Sequence, residues 1–331
     1  MKKDILLKRI ILLIVSLFIL VIILEIGLRI SYPIYSNYNT EMLRYATESK
    51  QRSEFPGLGH EHIPNSDNML YGVNVKINSL GLRSEKEYEL PKPEGVVRIL
   101  VIGDSITMGW GVEYNETYPK ILENLLNENS SVKYEVLNAG VGNYNSVSEL
   151  ATMQKFMYLD PDIIVLGYYI NDIEELTYPS KTGYFLKSKS YFYAFIMDKL
   201  INIEFRGNKD YKKYYSALYK DERLKNIVKV SVNRMLEIAK NNSLPFIFVN
   251  IPEFHGFKDY HFTSINDFIE HDVIGNQDIY YINLLPAFQK LPIAPERLWV
   301  SREDPHPDGI GQYAIAKNIY VKIKGIENGK K

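Results

Sequence analysis

Val96-Val-Arg-Ile-Leu-Val-Ile102 is a run of β-branched and aliphatic residues broken only by Arg98, and it stops at Gly103-Asp-Ser105. Such a run, closed by a glycine and a turn-former, reads as a strand buried on both faces. A strand covered on both sides belongs in a sheet with helices above and below it. In open α/β sheets, ligands bind at the carboxyl edge. Ser105 would sit there on a sharp turn beside free backbone N–H groups, a seat suited to a nucleophile. Gly-Asp-Ser also closes ordinary strand-to-helix turns, so the rest of the chain has to decide between the two.

Beyond residue 96 the rhythm of strands and helices continues. Strands are expected at Tyr134–Leu137, Ile163–Gly167, Phe246–Asn250 and Asp278–Leu284. Helices are expected at Pro119–Leu126 with Thr117 as cap, and at Val147–Leu159, Val228–Ala239 and Gly309–Ile323. About five βα units predict a three-layer α/β/α sandwich around a mainly parallel five-stranded sheet, carried by residues 96–331. Residues 34–95 are rich in Asn, Ser, Gly and Pro and read as a stalk and irregular lead-in, with one short strand at Val73–Ile77 and a turn at Asn78–Arg83. Pro91-Lys-Pro-Glu-Gly95 marks the border. Residues 173–220, rich in Tyr, Lys and Phe, interrupt the rhythm as an insertion, either a lid over the strand ends or a plain surface excursion.

The amino terminus is different in kind. Lys2, Lys3, Lys8 and Arg9 precede an apolar run that opens at Ile10 and, counted through Ile30, is long enough to span a bilayer. Glu25 and Arg29 inside it are spaced to pair. A cleaved signal peptide would need a small-x-small site after the apolar core, and Glu25-Ile-Gly-Leu-Arg-Ile-Ser-Tyr-Pro33 lacks one. Residues 1–33 are therefore read as a retained signal anchor in the cytoplasmic membrane. The flanking charges orient the rest of the chain to the extracytoplasmic side.

With 39 Lys and Arg against 40 Asp and Glu, no global field favours nucleic acid. The absence of Cys removes disulfides and thiolate metal sites. His60 and His62 are the one pair spaced for a metal, but with only Glu61 beside them no metal site and no cofactor is expected. His255, His261 and His271 lie in polar or irregular stretches. Asp104, Asp172 and Arg83 read as residues that orient neighbouring loops.

Four segments should converge at the carboxyl edge: Gly103-Asp-Ser-Ile106, Asn138-Ala-Gly-Val-Gly-Asn143, Gly167-Tyr-Tyr-Ile-Asn-Asp172 and Asp304-Pro-His-Pro307. In that order they resemble the motifs of the SGNH/GDSL hydrolase superfamily, in its membrane-anchored bacterial branch, over about residues 78–322. The resemblance implies ester hydrolysis with Ser105 as nucleophile and His306 as general base. It further implies an oxyanion hole formed by the Ser105 N–H, an N–H of the second segment and the Asn171 amide.

Three positions depart from the family pattern. Asn143 stands where the family often has Gly; Asn tolerates left-handed geometry, and Gly142 is the alternative donor. Tyr169 stands two before Asn171 in place of a Gly. The family's acid often lies three before the His, which here is Glu303, whereas Asp304 lies two before. Both Asp304 and His306 precede prolines and are pushed toward extended geometry. A β backbone puts i and i+2 on one face and favours Asp304; a polyproline II backbone favours Glu303. Some branches of the family use the two-residue spacing, so the resemblance implies Asp304 as the acid of the triad.

The expected function is a serine esterase acting on an acyl ester, an O-acetylated glycan being the substrate that the branch suggests. Two alternatives remain: an O-acyltransferase working on a cell-surface polysaccharide, and a catalytically silent glycan-binding module.

Overall fold

The computed structural model describes residues 2–31, 38–128, 130–175, 190–193, 195–196, 211–302 and 304–329. Its strands are β1 (Lys50–Arg52), β2 (His60–His62), β3 (Asp67–Leu70), β4 (Val73–Lys76), β5 (Val96–Gly103), β6 (Lys133–Asn138), β7 (Ile163–Tyr168), β8 (Phe246–Asn250), β9 (Tyr280–Asn283), β10 (Trp299–Ser301) and β11 (Asp304–Pro307). Strands β6-β5-β7-β8-β9 form one sheet in that spatial order, every pair parallel. The chain runs from β5 to β6 on one side and then crosses to β7 on the other. The topological switch point therefore lies between β5 and β7, where the loops that leave these strands diverge and open a crevice.

The period of two along β5 builds the layers. Ile99 and Val101 face a core with Tyr118, Leu122 and Leu126 from the helix Tyr118–Asn127, and with Ile315, Ile319 and Ile323 from the terminal helix Gly309–Gly329. Leu100 and Ile102 face the opposite core, with Met153 and Phe156 from Ser146–Phe156, and Val228, Val232 and Met235 from Glu222–Asn241. Each fully buried aliphatic side chain contributes about 1.5–3 kcal/mol, so two such faces hold the α/β/α sandwich.

Arg98, the one charge in β5, is fully buried. Its register partner on β6 is Glu135, whose carboxylate accepts from Nε at 3.0 Å and Nη2 at 2.8 Å. The carbonyls of Leu159 and Glu89 take the remaining bonds at 2.9 and 3.0 Å. Removing one partner of such a pair strands a buried charge. Arg98→Met should cost about 3–5 kcal/mol in urea unfolding, whereas Arg98→Met with Glu135→Met should recover most of it.

Residues 49–95 depart from the expected stalk. They fold into two antiparallel hairpins, β1–β2 and β3–β4, and bury Leu58, Leu70, Val75, Ile77 and Leu82. β4 is the strand expected at Val73–Ile77 from its alternation, whereas β1, β2 and β3, of three or four residues, are too short to show a period. Helix Glu222–Asn241 begins six residues earlier than expected because Asp221 caps it, accepting from the N–H of Arg223 at 2.8 Å. Most of the expected insertion lies outside the described residues. Its last part forms the helix Tyr211–Leu218, which sends Tyr215 into the core, followed by Tyr219, whose hydroxyl meets that of Tyr168 at 2.7 Å.

Two compact units divide the chain: Ser49–Tyr178 with Asp210–Lys331, and Met1–Glu48 with Pro179–Lys209. The second unit holds the helix Lys2–Ser31, of which Ile5–Ser31 is long and apolar enough to cross a membrane. Glu25 pairs with Arg29 at 2.7 Å and also accepts from the Ser190 hydroxyl and from the Tyr191 and Phe192 N–H groups at 2.9–3.1 Å.

Candidate active site

Gly103 ends β5 because nothing larger fits: a Cβ there would meet Thr107 Oγ1 at 2.1 Å and the Gly167 carbonyl at 2.9 Å. Asp104 then caps the short helix Ser105–Met108, its Oδ1 accepting from the Ile106 N–H at 2.8 Å. Gly109, at φ +83°, ends that helix. Arg83 is fully buried and holds the following loop by donating to the carbonyls of Met108 at 2.8 Å and Val112 at 2.6 Å, and to that of Gly109. Ser105 is thereby fixed from both sides, at the carboxyl end of β5 and beside the switch point.

His306 arrives from β11. Its Nε2 lies 2.8 Å from Ser105 Oγ across 201 positions of sequence. Extended backbone puts Asp304 on the same face, and Asp304 Oδ1 lies 2.5 Å from His306 Nδ1 while also accepting the His306 N–H at 3.1 Å. A carboxylate only accepts, so Nδ1 carries the proton and Nε2 is left to accept from the Ser105 hydroxyl. The other oxygen, Asp304 Oδ2, accepts from the Trp110 indole N–H at 2.9 Å. Burial pushes the Asp304 carboxyl up. The His306 bonds and charge and the Trp110 N–H outweigh that and hold it below the usual carboxylate value. Glu303 lies outside the described residues.

Gln312 ties the two halves together. Its Oε1 accepts the Tyr118 N–H at 2.8 Å, and its Nε2 donates to the Ile106 carbonyl at 3.2 Å.

Candidate donors for an oxyanion surround Ser105. Among the described residues, the Ser105 and Asn143 N–H groups have no protein acceptor. Asn143 adopts φ +67°, the left-handed geometry expected of it. The segment that carries Gly142 and Asn143 is packed onto the Ser105 loop: Val141 N–H donates to the Gly103 carbonyl at 3.2 Å, and a Cβ on Gly140 would strike the Met108 backbone N at 2.3 Å. The Asn171 side chain lies beside the Asp104 carboxylate, close enough to counter part of the rise that burial imposes on that carboxyl. Tyr169 is half-buried, and its N–H donates to Asp172 Oδ2 at 2.6 Å.

Behind this edge Asp104, Glu149 and Asp172 are all buried. Burial first, and mutual repulsion second, push the Glu149 and Asp172 carboxyls well above the usual range. Both Glu149 oxygens and Asp172 Oδ1 lack a hydrogen-bond partner among the described residues. A carboxyl whose folded pKa exceeds its unfolded value contributes its full stability below about pH 4 and loses it as the pH rises toward the folded value. Glu149→Gln removes one of these ionisations, and the amide N–H can donate to Asp172 Oδ1. The variant should be more stable than the parent at pH 8 by about 1 kcal/mol, or roughly 2–4 °C in melting temperature, with the gap closing toward pH 4.

The four expected segments are thus together, and of the histidines outside them His60 alone is described in contact with one, while His62 and His255 pack elsewhere. His62 is buried against the Gly81 carbonyl at 3.3 Å, and burial lowers it to about 3. His255 pairs with buried Glu253, its ring 5.2 Å from Trp299 and 5.1 Å from Tyr211. His60 reaches the Gly142 carbonyl at 2.9 Å. Trp110 and its hold on Asp304 were missed by sequence reasoning. The signal was an indole in a Gly-Trp-Gly turn after Ser105, since a buried Trp N–H needs an acceptor.

No family model matches the chain, and no curated protein does. Solved structures similar to it include a lipase from a goat rumen metagenome, 14% identical, with a TM-score of 0.47 over 68% of this chain and 97% of that one. A lipase/acylhydrolase from Enterococcus faecalis is 15% identical, with a TM-score of 0.44 over 69% and 96%. A Clostridium thermocellum family 3 carbohydrate esterase is 12% identical, with a TM-score of 0.44 over 71% and 98%.

Proposed function

We propose that this chain is a membrane-anchored serine ester hydrolase that removes an acyl group, an acetyl group in the first instance, from a glycan outside the cytoplasmic membrane. The reading is carried by the unbroken relay from Ser105 through His306 to Asp304, with bonds of 2.8 and 2.5 Å. His306 Nε2 takes the Ser105 proton as Oγ bonds to the ester carbonyl carbon. The negative oxygen of the tetrahedral species is met by the N–H of Ser105, the N–H of Asn143 with Gly142 as the neighbouring alternative, and the Asn171 amide. The C–O bond to the alcohol then breaks, and His306 returns the proton to the leaving oxygen. Water, deprotonated by His306, hydrolyses the acyl-enzyme and frees the acid. Asp304 holds the imidazole in the tautomer each step requires.

A carbohydrate substrate is supported by the aromatic side chains of exposed Tyr211 and half-buried Trp299, whose rings meet that of His255 at 5.1 and 5.2 Å. The location rests on the apolar N-terminal helix and the basic residues before it. A sugar hydroxyl can replace water in the second half of the reaction, which would make the same site an acyltransferase.

The test uses the full chain in mild detergent with p-nitrophenyl acetate, an O-acetylated glycan and a fluorophosphonate probe. Free acetate, and phosphonylation mapped to Ser105, are expected. An acylated acceptor sugar in place of free acetate would move the reading to transfer. No turnover together with no labelling would leave only a binding module.

A further inference from the structure

The Gly142 carbonyl is held by two side chains from the hairpin that precedes the sheet. Lys50 Nζ donates to it at 3.1 Å, and His60 Nε2 lies 2.9 Å away. A carbonyl only accepts, so His60 must present Nε2–H, and both lone pairs of the oxygen are engaged. Lys50 is buried, and its ammonium also reaches Asn143 Oδ1 at 3.3 Å. The hairpin is itself anchored to this turn, because the Tyr144 hydroxyl donates to the His60 carbonyl at 2.9 Å.

The peptide between Gly142 and Asn143 is planar and trans, so its C=O and N–H point in opposite directions. With the carbonyl fixed on the hairpin side, the Asn143 N–H is directed away from Lys50 and His60. It finds no acceptor among the described residues. The same turn is packed against the Ser105 loop through Val141 and Gly140. Two donors on a carbonyl, one of them a cation, also polarise the amide and strengthen its N–H as a donor.

We propose that Lys50 and His60 are positioning residues for ester hydrolysis: by clamping the Gly142 carbonyl they aim and strengthen the Asn143 N–H as the second oxyanion donor. This rests on the hydrolase reading above. In the transition state the peptide already points where charge develops, so no reorganisation is needed. The unusual φ of Asn143 is then maintained by the clamp instead of by a glycine. The lead-in thus completes a site whose reacting groups all lie beyond residue 96.

The test is steady-state kinetics on the full chain in detergent, with Lys50→Met and His60→Leu against Lys50→Arg and His60→Gln, which keep a donor. Loss of an oxyanion donor lowers kcat by about 10²–10³-fold, so each clamp variant should lose roughly 10-fold or more, with KM within about twofold. The donor-keeping variants should recover most of the rate. Asparagine-selective ¹⁵N labelling adds a readout independent of turnover. The Asn143 amide should shift downfield when Ser105 is phosphonylated, and less so in Lys50→Met. An active parent whose clamp variants keep full kcat, or an Asn143 amide that ignores the phosphonyl group, overturns the proposal and leaves the hydrolase reading standing. So does a kcat loss that the donor-keeping variants share. A parent that neither hydrolyses esters nor reacts with the probe removes both.

Discussion

Ser105→Ala should lower ester turnover by about 10⁴–10⁶-fold, the cost typical of losing a nucleophile that works as one unit with its base. The measurement is kcat on p-nitrophenyl acetate with the full chain, read against the melting temperature. Ser105 contributes little to packing and no hydrogen bond of its hydroxyl other than those to His306 and, at 3.4 Å, to Asp104. Stability should therefore be nearly unchanged while activity collapses. A variant that keeps a tenth of the parent's rate would place the chemistry elsewhere on the molecule.

Asp304→Asn should cost about 10⁴-fold in kcat. The amide is nearly isosteric, so the shape survives, but it can offer Nδ2–H to His306 Nδ1 where the carboxylate only accepted. The imidazole then carries its proton on Nε2 and faces the Ser105 hydroxyl with a donor. Substrate binding does not depend on that tautomer, so KM should change far less than kcat. Trp110, which donates to the far oxygen of Asp304, provides an internal comparison. Trp110→Phe keeps most of the ring but drops the N–H, and should lose much less activity than Asp304→Asn.

The sheet could be read from the chain because its signal is local. Phe246–Asn250 coincides with β8, and the helix expected at Pro119–Leu126 extends by one residue at each end, with Thr117 as its cap. Runs buried on both faces advertise themselves in composition. The expected position of Ser105, at the end of the strand Val96–Gly103, needed only that run and its glycine stop. The prolines narrowed the acid to Asp304 or Glu303 without separating them, since β and polyproline II backbones are both extended; the choice of Asp304 rested on the two-residue spacing found in some branches of the family the chain resembles. The alternation of β11 is short, but it suffices to put the carboxylate on His306 Nδ1.

What could not be read has a common cause. Trp110 on Asp304, Lys50 on Gly142 and Arg98 on Glu135 join residues 194, 92 and 37 positions apart, and no periodicity encodes which partner a buried polar group will find. The same holds for the two hairpins of residues 49–95. Of their four strands only β4 announces itself, through the alternation of Val73–Ile77; the other three are too short, and they gain their order from the turn and loop they pack against. Composition classed that stretch as lead-in, whereas the fold uses it as part of the wall around the carboxyl edge.

Gln312 gives the molecule a mechanical property. One fully buried amide joins the backbone just past the serine to the start of the helix that follows the imidazole. The segments that carry Ser105 and His306 are consequently braced against each other by one buried side chain. In the proposed reaction the pair then needs no closure of its own, and a step that limits turnover is expected in the loops around the carboxyl edge.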